Sequence, residues 1–364
     1  MGFMRNVLLA GGALLAAREI SRHIAPAELR GQKALVTGGS RGLGLLIGRE
    51  LARAGCDVTI CARDVDELAR ARADILRFGR QVETVVCDVS DRVQVNRMIR
   101  QVTTHFGQID ILVHNAGVIQ VGPLENQSID DFQMAMDVMY WGIVHPTLAV
   151  LPQMRARGSG RIVNVTSIGG KLGVPHLLPY SSAKFAAVGF SEGLAAEVAK
   201  DGIAVTTVVP GLMRTGSHLH ALTKGQHEAE YGWFSLGASL PLISMDAERA
   251  AQQIVEAMRR GESVKYLGIS AVLASRFHGL FPGTTVELLG LVNRLLPGPA
   301  NHATSRVPGY AARDRLDSWW IEVTTALGRK AAERFNETRP TAQEQKMSDP
   351  DGEQSGHTAS MTSR

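Results

Sequence analysis

The fold of this chain is decided by the stretch Thr37-Gly38-Gly39-Ser40-Arg41-Gly42-Leu43-Gly44. It follows a short apolar run, Ala34-Leu35-Val36, and opens a segment with the apolar periodicity of a helix. Glycines at such a strand-to-helix turn allow a tight turn and let the backbone approach a pyrophosphate at the helix N-terminus. The stretch therefore predicts the first strand, turn and helix of a dinucleotide-binding domain.

Predicted strands and helices alternate after this turn, which is typical of an α/β, doubly wound parallel sheet with helices on both faces. Seven strands are predicted, at residues 34–36, 58–60, 82–86, 109–113, 162–166, 204–209 and 264–267. A long helix is predicted at residues 130–155, bent by Pro146. Ser244 is predicted to cap the helix before the last strand.

Composition excludes several classes of protein. With 45% hydrophobic and 20% charged residues, the 364-residue chain can bury a sizeable core. The net charge of +4 is small and no basic, aromatic-rich module occurs, so we expect no nucleic-acid partner. The odd set of Cys56, Cys61 and Cys87 predicts reduced thiols of an intracellular protein. Since no Cys/His spacing suits a metal, none is expected.

The N-terminus is apolar, with Arg5 as the one charge among residues 1–17. Residues 6–17 would form a helix of roughly 18 Å, short of the ~30 Å hydrocarbon core of a bilayer. A signal peptide shares this pattern, but secretion would separate the protein from a nucleotide cofactor. We therefore predict a membrane-surface anchor within residues 1–30. A helix packed on the protein itself, or at a subunit contact, is the alternative.

A second stretch carries acid-base chemistry. Tyr180 and Lys184 are four residues apart, which places them on one face of a helix. A phenol titrates near ~10, and a nearby ammonium lowers that pKa. Ser167, at the end of a predicted strand, could donate a hydrogen bond to a developing alkoxide. The three side chains predict proton transfer at an oxygen, whereas the alternative is an ordinary surface helix.

The second strand ends without the acid that usually binds a ribose 2′-hydroxyl. Asp64 is the nearby acid, and helix capping explains it because Glu67 follows three residues later, as in a capping box. Arg63 and Arg41 could instead clamp a 2′-phosphate. We therefore predict NADP(H) as the cofactor in preference to NAD(H). The alternative is that both arginines are only solvated.

In their order, these motifs resemble the single-domain branch of the short-chain dehydrogenase/reductase family. The resemblance rests on the Thr-Gly-x-x-x-Gly-x-Gly turn, Asn115-Ala116-Gly117, a serine thirteen residues before Tyr-x-x-x-Lys, and Pro210-Gly211. It covers residues 31–268 and implies a seven-stranded Rossmann sheet. It also implies that Tyr180 is the acid-base group, that Lys184 holds the nicotinamide ribose and lowers the Tyr180 pKa, and that Ser167 orients the substrate.

The resemblance further implies a cofactor site along the carboxyl ends of the strands. Asp88 and Val89 would contact adenine, Asn115 and Gly117 would line the cofactor, and Thr215 would lie near the carboxamide or diphosphate. Together with the turn and the two arginines, the predicted cofactor-binding residues are Gly38, Ser40, Arg41, Gly42, Leu43, Gly44, Arg63, Asp88, Val89, Asn115, Ala116, Gly117, Tyr180, Lys184, Pro210, Gly211 and Thr215.

One position departs from the family. The family usually has Asn three residues before a Gly in the long helix, and here Met139 precedes Gly142 by three. In the family that Asn belongs to a water relay reaching the Lys, so the departure concerns proton relay more than reaction class. Family members often form dimers or tetramers through the helices carrying Gly142 and Tyr180, which predicts a homo-oligomer.

Residues 212–240 resemble the family's variable substrate lid. An apolar lid predicts a lipophilic ketone or alcohol, of steroid, retinoid or fatty-acyl type, although its side chains could instead only close the core. The apolar lid residues are Leu219, Leu222, Tyr231, Trp233 and Phe234.

The chain after the predicted catalytic domain, 31–268, is expected to form a helical extension, 269–335. Helices are predicted at 268–281, 284–296 and 314–335. The apolar stripe at 288–296 predicts a core or subunit contact, with membrane contact as the alternative. Residues 336–364 are polar and predicted to be disordered.

The expected function is that of an NADP(H)-dependent oxidoreductase acting on a lipophilic ketone or alcohol. A redox-silent nucleotide-binding regulator and a membrane-tethered scaffold are the rival hypotheses. The expected location is the cytoplasm, with peripheral attachment at the inner face of a membrane if the anchor prediction is correct.

Overall fold

A seven-stranded parallel sheet forms the centre of the protein. The computed structural model describes residue 11 and residues 26–240, 244–301, 304–316 and 325–338. The strands are β1 (Lys33–Thr37), β2 (Asp57–Ala62), β3 (Val82–Val86), β4 (Ile111–His114), β6 (Gly160–Val165), β7 (Ile203–Pro210) and β11 (Val264–Leu267). Their order is β11-β7-β6-β4-β1-β2-β3. The predicted Rossmann sheet is confirmed, and its strand order reverses between β1 and β4, where such sheets bind ligands.

Helices cover both faces of the sheet. One face packs against α1 (Gly42–Arg53), α2 (Val65–Leu76) and α8 (Ala247–Arg259), and the other against α3 (Arg92–Phe106), α5 (Gly142–Arg157) and α6 (Leu178–Val198). Neighbouring residues of β1 serve different faces, since Val36 belongs to the first apolar cluster and Leu35 to the second. The three cysteines are buried and unpaired, as predicted.

The predicted helix at 130–155 is interrupted. It consists of α4 (Ile129–Met136), a π-helical turn at Asp137–Trp141, and α5. The turn ends where Pro146, which has no N–H, deprives the Gly142 carbonyl of its α-helical partner. In the described chain, the stretch from Ile129 to Arg157 is the one helix long and apolar enough for a membrane span, and half of an apolar 18-residue part of it is buried in the fold. A core helix accounts for these properties.

A smaller cap lies beside the sheet. It contains β5 (Gln120–Val121), β9 (Leu222–Thr223) and β12 (Val307–Pro308), which pair with one another, and α7 (His227–Ser239). A two-stranded ladder, β8 (Met213–Arg214) with β10 (Met245–Asp246), leads into α8. The predicted cap at Ser244 is wrong. Asp246 accepts a hydrogen bond from the Arg249 N–H and caps α8, while the Ser244 hydroxyl donates to the Leu240 carbonyl.

The C-terminal extension contains a hairpin of α9 (Ile269–Leu280) and α10 (Pro282–Asn293), followed by α11 (Gly309–Asp314) and α12 (Ala326–Arg334). The helix predicted at 314–335 is confirmed over α12, but its predicted start at residue 314 is wrong, because α11 ends there. The 288–296 stripe does not lie in the core, since Leu288, Val292 and Leu295 are exposed.

At the N-terminal end, Leu29 joins the core, whereas residues 1–10 and 12–25 of the predicted anchor lie outside the described residues.

Candidate active site

The glycine turn between β1 and α1 has a backbone that side chains would block. Gly38 and Gly42 have φ angles of +62° and +54°. A Cβ on Gly38 would lie 2.8 Å from the Ala116 Cα, and a Cβ on Gly44 would overlap the Gly38 carbonyl. The turn thus has no side chains of its own at Gly38 and Gly42, beside the N-terminus of α1, which is the arrangement that binds a diphosphate. In this structure the Gly42 N–H donates a hydrogen bond to the Phe335 carbonyl at 2.9 Å.

The end of β4 braces this turn. The Asn115 side-chain amide donates a hydrogen bond to the Gly38 carbonyl at 3.0 Å. The backbone N–H groups of Asn115 and Ala116 donate to the Thr37 hydroxyl at 3.1 and 3.3 Å. These bonds tie the two strands together at the switch point, so Asn115 supports the turn as well as lining the cleft beside it.

A buried carboxylate organises the second strand end. Glu67, 3% exposed, accepts hydrogen bonds from the Ser40 hydroxyl at 2.7 Å and from the Arg41 guanidinium at 3.1 Å. Asp64 caps α2 as predicted, by accepting from the Glu67 N–H. The capping box is incomplete because the Glu67 side chain turns to the glycine turn instead. Arg63 is exposed, and no described carboxylate lies within ion-pair distance of it.

Ser167, Tyr180 and Lys184 converge between β6 and α6. Ser167 begins a 3₁₀ turn, Ile168–Gly170, and its hydroxyl accepts a hydrogen bond from the Gly169 N–H at 3.0 Å. The Lys184 ammonium donates to the Val165 carbonyl at 3.0 Å and lies 5.8 Å from the centre of the Tyr180 ring. A Cβ on Gly169 would lie 3.2 Å from that ring, so glycine leaves room for Tyr180.

Burial controls the pKa values of these groups. Burial raises the pKa of the Tyr180 phenol, and the hydrogen bond with Ser167 opposes this shift without cancelling it. Burial also lowers the pKa of Lys184, to about 8. The sequence predicted a lowered Tyr180 pKa, whereas the structure gives a raised one, because loss of solvation outweighs the stabilisation of the phenolate.

One cleft of about 830 Å³ joins these elements. Every predicted site residue lines it except Gly44, which lies behind the turn against the Gly38 carbonyl. Asp88 accepts hydrogen bonds from Ser90, and Val89 packs where a Cβ on Gly142 would lie. The lining residues that the sequence predicted are Gly38, Ser40, Arg41, Gly42, Leu43, Arg63, Asp88, Val89, Asn115, Ala116, Gly117, Ser167, Tyr180, Lys184, Pro210, Gly211 and Thr215.

Comparison with known proteins decides the family. A sequence model described as short chain dehydrogenase matches residues 32–224. The chain belongs to the short-chain dehydrogenase family. Members of this family are oxidoreductases that bind a nicotinamide cofactor.

Two curated relatives illustrate the range of the match. The chain is 40% identical over 201 residues to a dehydrogenase/reductase SDR family protein 7-like of Anopheles gambiae, an alignment covering 54% of this chain and 63% of the relative. It thus spans less than two thirds of that relative. It is 38% identical over 205 residues to oxidoreductase BOA17 of Botryotinia fuckeliana, covering 55% of this chain and 74% of the relative.

Two solved structures share the fold. A short-chain dehydrogenase from Streptomyces avermitilis has a TM-score of 0.63 and 31% identity, covering 72% of this chain and 98% of that one. L-sorbose reductase from Gluconobacter frateurii, solved with NADPH and L-sorbose, has a TM-score of 0.59 and 27% identity, covering 65% and 95%. In both, nearly the whole length of the solved chain matches, and 28% and 35% of this chain lie outside the match.

Met139 departs from the short-chain dehydrogenase pattern in its surroundings too. It lies in the π-helical turn, is fully buried, and packs in an apolar cluster with Ala135, Ala183 and the Tyr180 ring. Its thioether offers no N–H or O–H to a proton relay. Met139 therefore acts as packing for Tyr180.

The lid is divided between cleft and core. Leu222, Trp233 and Phe234 line the cleft as predicted. Tyr231 instead packs with Val307 and Ala312, so it closes the core. Leu219 is also buried and does not line this cleft.

The structure adds a residue that sequence reasoning missed. Glu337 is 4% exposed and lines the cleft, where a Cβ on Gly42 would overlap its carboxylate. Asn336, beside it, donates to the carbonyls of Ser40 at 2.9 Å and Glu67 at 3.2 Å. Asn336 and Glu337 of the predicted disordered tail are therefore packed on the glycine turn, whereas Thr338 is exposed and residues 339–364 lie outside the described residues. No local sequence signal indicated this contact.

Proposed function

We propose that this chain is an NADP(H)-dependent oxidoreductase that interconverts a lipophilic ketone and its alcohol. The observation that carries the proposal is the convergence of Ser167, Tyr180 and Lys184 on the cleft that also contains the glycine turn. A proton donor, a hydroxyl and a cation in one cleft are the groups that reduction of a carbonyl requires.

The residues present fit a nicotinamide dinucleotide. The turn at Gly38 and Gly42 would hold the diphosphate once the Phe335 carbonyl and the Glu337 carboxylate, which lie against Gly42, give way to it. Thr215 lies across from the turn, since its Cβ would be 3.8 Å from a Cβ on Gly42. Asp88 and Val89 would bind the adenine end. When bound, the nicotinamide supplies or accepts the hydride.

Side chains of this protein carry out the proton transfer. During reduction, the Tyr180 O–H donates its proton to the substrate oxygen, and the raised pKa keeps that phenol protonated at neutral pH. The Ser167 hydroxyl donates a hydrogen bond to the same oxygen as negative charge develops. The Lys184 cation, 5.8 Å from the ring, stabilises the phenolate left behind. Proton donation of this kind typically contributes about 10²–10⁴ in rate.

The wall beside Tyr180 supports a lipophilic substrate. Val174, Leu177, Trp233 and Phe234 line the cleft and form one apolar cluster with the Tyr180 ring. The Trp233 indole N–H donates to the buried Glu230 at 2.7 Å, which leaves the carbon surface of the indole to the cleft. This wall argues for a lipophilic compound, although the sorbose reductase binds a sugar.

The test is an NADPH-oxidation screen over steroids, retinoids, acyl ketones and quinones, with polar sugars such as sorbose as the opposing panel. We expect kcat/KM to be highest in the lipophilic panel, because burial of apolar surface favours those substrates. A clear preference for sugars would contradict the substrate class while leaving the reaction class intact.

The proposed preference for NADPH over NADH can be tested by substituting Arg63. Arg63→Asp should raise the KM for NADPH by at least about tenfold and leave the KM for NADH similar or lower, because a charge-assisted bond to the 2′-phosphate becomes a repulsion. Arg41 contributes less, since Glu67 already pairs with it. Steady-state kinetics with both cofactors provide the measurement.

Arg97→Asp is the matched control, since this exposed arginine on α3 does not line the cleft. It should leave both constants unchanged. A wild-type preference for NADH would contradict the NADP(H) proposal.

Removing the charge of Glu337 should strengthen NADPH binding, the opposite of the effect expected for Arg63→Asp. Its carboxylate lies against the glycine turn, where it opposes the approach of a diphosphate. Glu337→Gln should lower the Kd for NADPH about fivefold, which corresponds to about 1 kcal/mol. Fluorescence titration measures this change. As a control, Glu333→Gln removes the same charge from an exposed site on α12 and should change the Kd for NADPH little. The prediction would be refuted if Glu337→Gln bound NADPH as tightly as the parent chain or more weakly.

A redox-silent nucleotide-binding regulator is the second candidate, and the replacement of a polar relay residue by buried Met139 favours it. Tight NADPH binding with no turnover across both panels would support this alternative. The intact Ser167, Tyr180 and Lys184 favour the enzyme.

A further inference from the structure

The α9–α10 hairpin exposes an unusual amount of apolar surface. From residue 269 to residue 295, all of which are described, only Ala271 and Thr285 are buried. On α9, the exposed Ile269, Leu273 and Leu280 belong to one helical stripe, which lies opposite Ala271. The exposed large apolar residues of the hairpin are Ile269, Val272, Leu273, Phe277, Leu280, Phe281, Val286, Leu288, Leu291, Val292 and Leu295. A contiguous apolar surface of this kind marks a binding site.

The charges of the hairpin select the partner. Its one acid is Glu287, whereas Arg276 and Arg294 are exposed cations beside the apolar side chains. Apolar residues flanked by arginines suit the boundary between acyl chains and anionic headgroups. Each helix has 12 residues and is therefore roughly 18 Å long, too short to cross the ~30 Å hydrocarbon core. The hairpin fits a lipid surface rather than a membrane span.

The start of the hairpin lies beside the cleft, and the chain after its end is tied to the segment that follows β5. A Cβ on Gly211, which lines the cleft, would contact Ser270 and Ala271 at the start of α9. After α10, the backbone N–H and carbonyl of Ala300 exchange hydrogen bonds with the Asn126 side chain in the cap. A surface that held the hairpin would therefore hold the Gly211 edge of the cleft close to it.

We propose that the α9–α10 hairpin inserts its exposed apolar side chains into the surface of an anionic phospholipid bilayer and so holds the Gly211 edge of the cleft close to that bilayer. A second copy of the chain fits less well, because self-association would bring the arginines of two hairpins together. The face predicted to form an oligomer lies elsewhere, on α5 and α6, where Leu148 and Phe185 are exposed. Lipid binding does not depend on hydride transfer, so the two proposals can fail separately.

A site-specific probe tests the contact in the full chain. The three native cysteines are buried, so Leu280→Cys can be labelled selectively with an environment-sensitive fluorophore. Leu280 is 74% exposed at the tip of the hairpin, and Val93→Cys, at a position 66% exposed on α3, is the matched control. Phosphatidylcholine vesicles with phosphatidylglycerol should shift the emission of the label at 280 to the blue and leave the label at 93 unchanged. Binding should be at least about fivefold tighter than to pure phosphatidylcholine and should weaken with salt.

Three results would overturn the proposal. The first is an unshifted label at 280 on bound protein, which would assign attachment to another segment such as residues 1–25. The second is an absence of vesicle binding. The third is a shift that depends on protein concentration without vesicles, which would assign the face to a second copy.

A pair of substitutions provides an independent measurement. Leu273→Asp with Phe277→Asp should reduce co-sedimentation with anionic vesicles at least about tenfold, because it places two carboxylates among the inserting apolar side chains. Val65→Asp with Val93→Asp adds the same charge at exposed positions on α2 and α3 and should keep at least half of the binding. NADPH binding confirms that the hairpin variant is folded, and Tyr180→Phe should bind vesicles like the parent chain. Equal co-sedimentation of the hairpin variant and the parent would contradict the proposal.

Discussion

Replacing Tyr180 by Phe should reduce kcat for NADPH-dependent reduction about 10³-fold or more while leaving NADPH binding within about twofold. The substitution removes the proton donor, which contributes rate of this order. It keeps the ring that packs against Met139 and Ala183, so the cleft should retain its shape. The rate of NADPH oxidation gives kcat, and a fluorescence titration with NADPH gives the Kd.

Tyr140→Phe is the matched control, because Tyr140 lies in the neighbouring π-helical turn, against Trp141 and Phe190, and does not line the cleft. It should leave kcat unchanged.

The parent enzyme should lose rate as the pH rises past about 8, where Lys184 loses its charge, and the residual rate of Tyr180→Phe should lack this dependence. Undiminished turnover in Tyr180→Phe would refute the proposed proton transfer.

Asp131→Asn should destabilise the protein by about 3 kcal/mol or more, which lowers Tm by roughly 6–12 °C. Asp131 is 0% exposed, and its carboxylate accepts from the Lys224 ammonium at 2.5 Å and the Arg306 guanidinium at 2.7 Å. The substitution would leave two cations unbalanced, one of them, Lys224, only 1% exposed. Urea and thermal unfolding followed by circular dichroism give the free energy of unfolding and Tm.

Two controls separate burial from charge. Lys224→Met removes the buried cation while Arg306 still pairs with Asp131, so the loss should be smaller. Asp201→Asn breaks the more exposed pair with Arg155 and should cost less than about 1 kcal/mol. If Asp131→Asn were as mild as Asp201→Asn, the buried cluster would not stabilise the cap.

The Asp131 cluster should also shape stability against pH. Burial alone would raise the pKa of Asp131, but hydrogen bonds from Lys224, the Ser128 N–H and Arg306 outweigh it and hold the pKa below its ordinary value. The stabilisation is thus present above the ordinary Asp pKa of ~3.9 and is lost as the pH falls below it. Asp131→Asn should flatten this acid-side loss.

Local sequence determined the sheet and most of the site. Short apolar runs followed by turn residues, such as the one before Gly38, favour strands buried on both faces, and the glycines of the turn are required by backbone geometry. The four-residue spacing of Tyr180 and Lys184 fixes their common helix face. These features depend on neighbouring residues, so they can be predicted without knowing the rest of the chain.

The tertiary structure decided which of several possible hydrogen-bond partners or caps is used. Glu67 could complete a capping box within its own helix, but Ser40 and Arg41 lie within reach and bind it instead. Ser244 and Asp246 are both competent caps, and the β8–β10 ladder starts the helix at the second. A sequence shows which hydrogen bonds a side chain can make, but not which acceptor the fold brings nearest.

The sequence by itself therefore determined the Rossmann sheet, its switch point and the residues that meet there. Only the tertiary structure decided that Glu337 lies on a glycine turn almost 300 positions away, and that no other described part of the chain covers the apolar α9–α10 hairpin. The physical reason is that periodicity records which face of a helix is apolar, whereas docking between distant segments depends on the shape and charge of surfaces that exist only after folding.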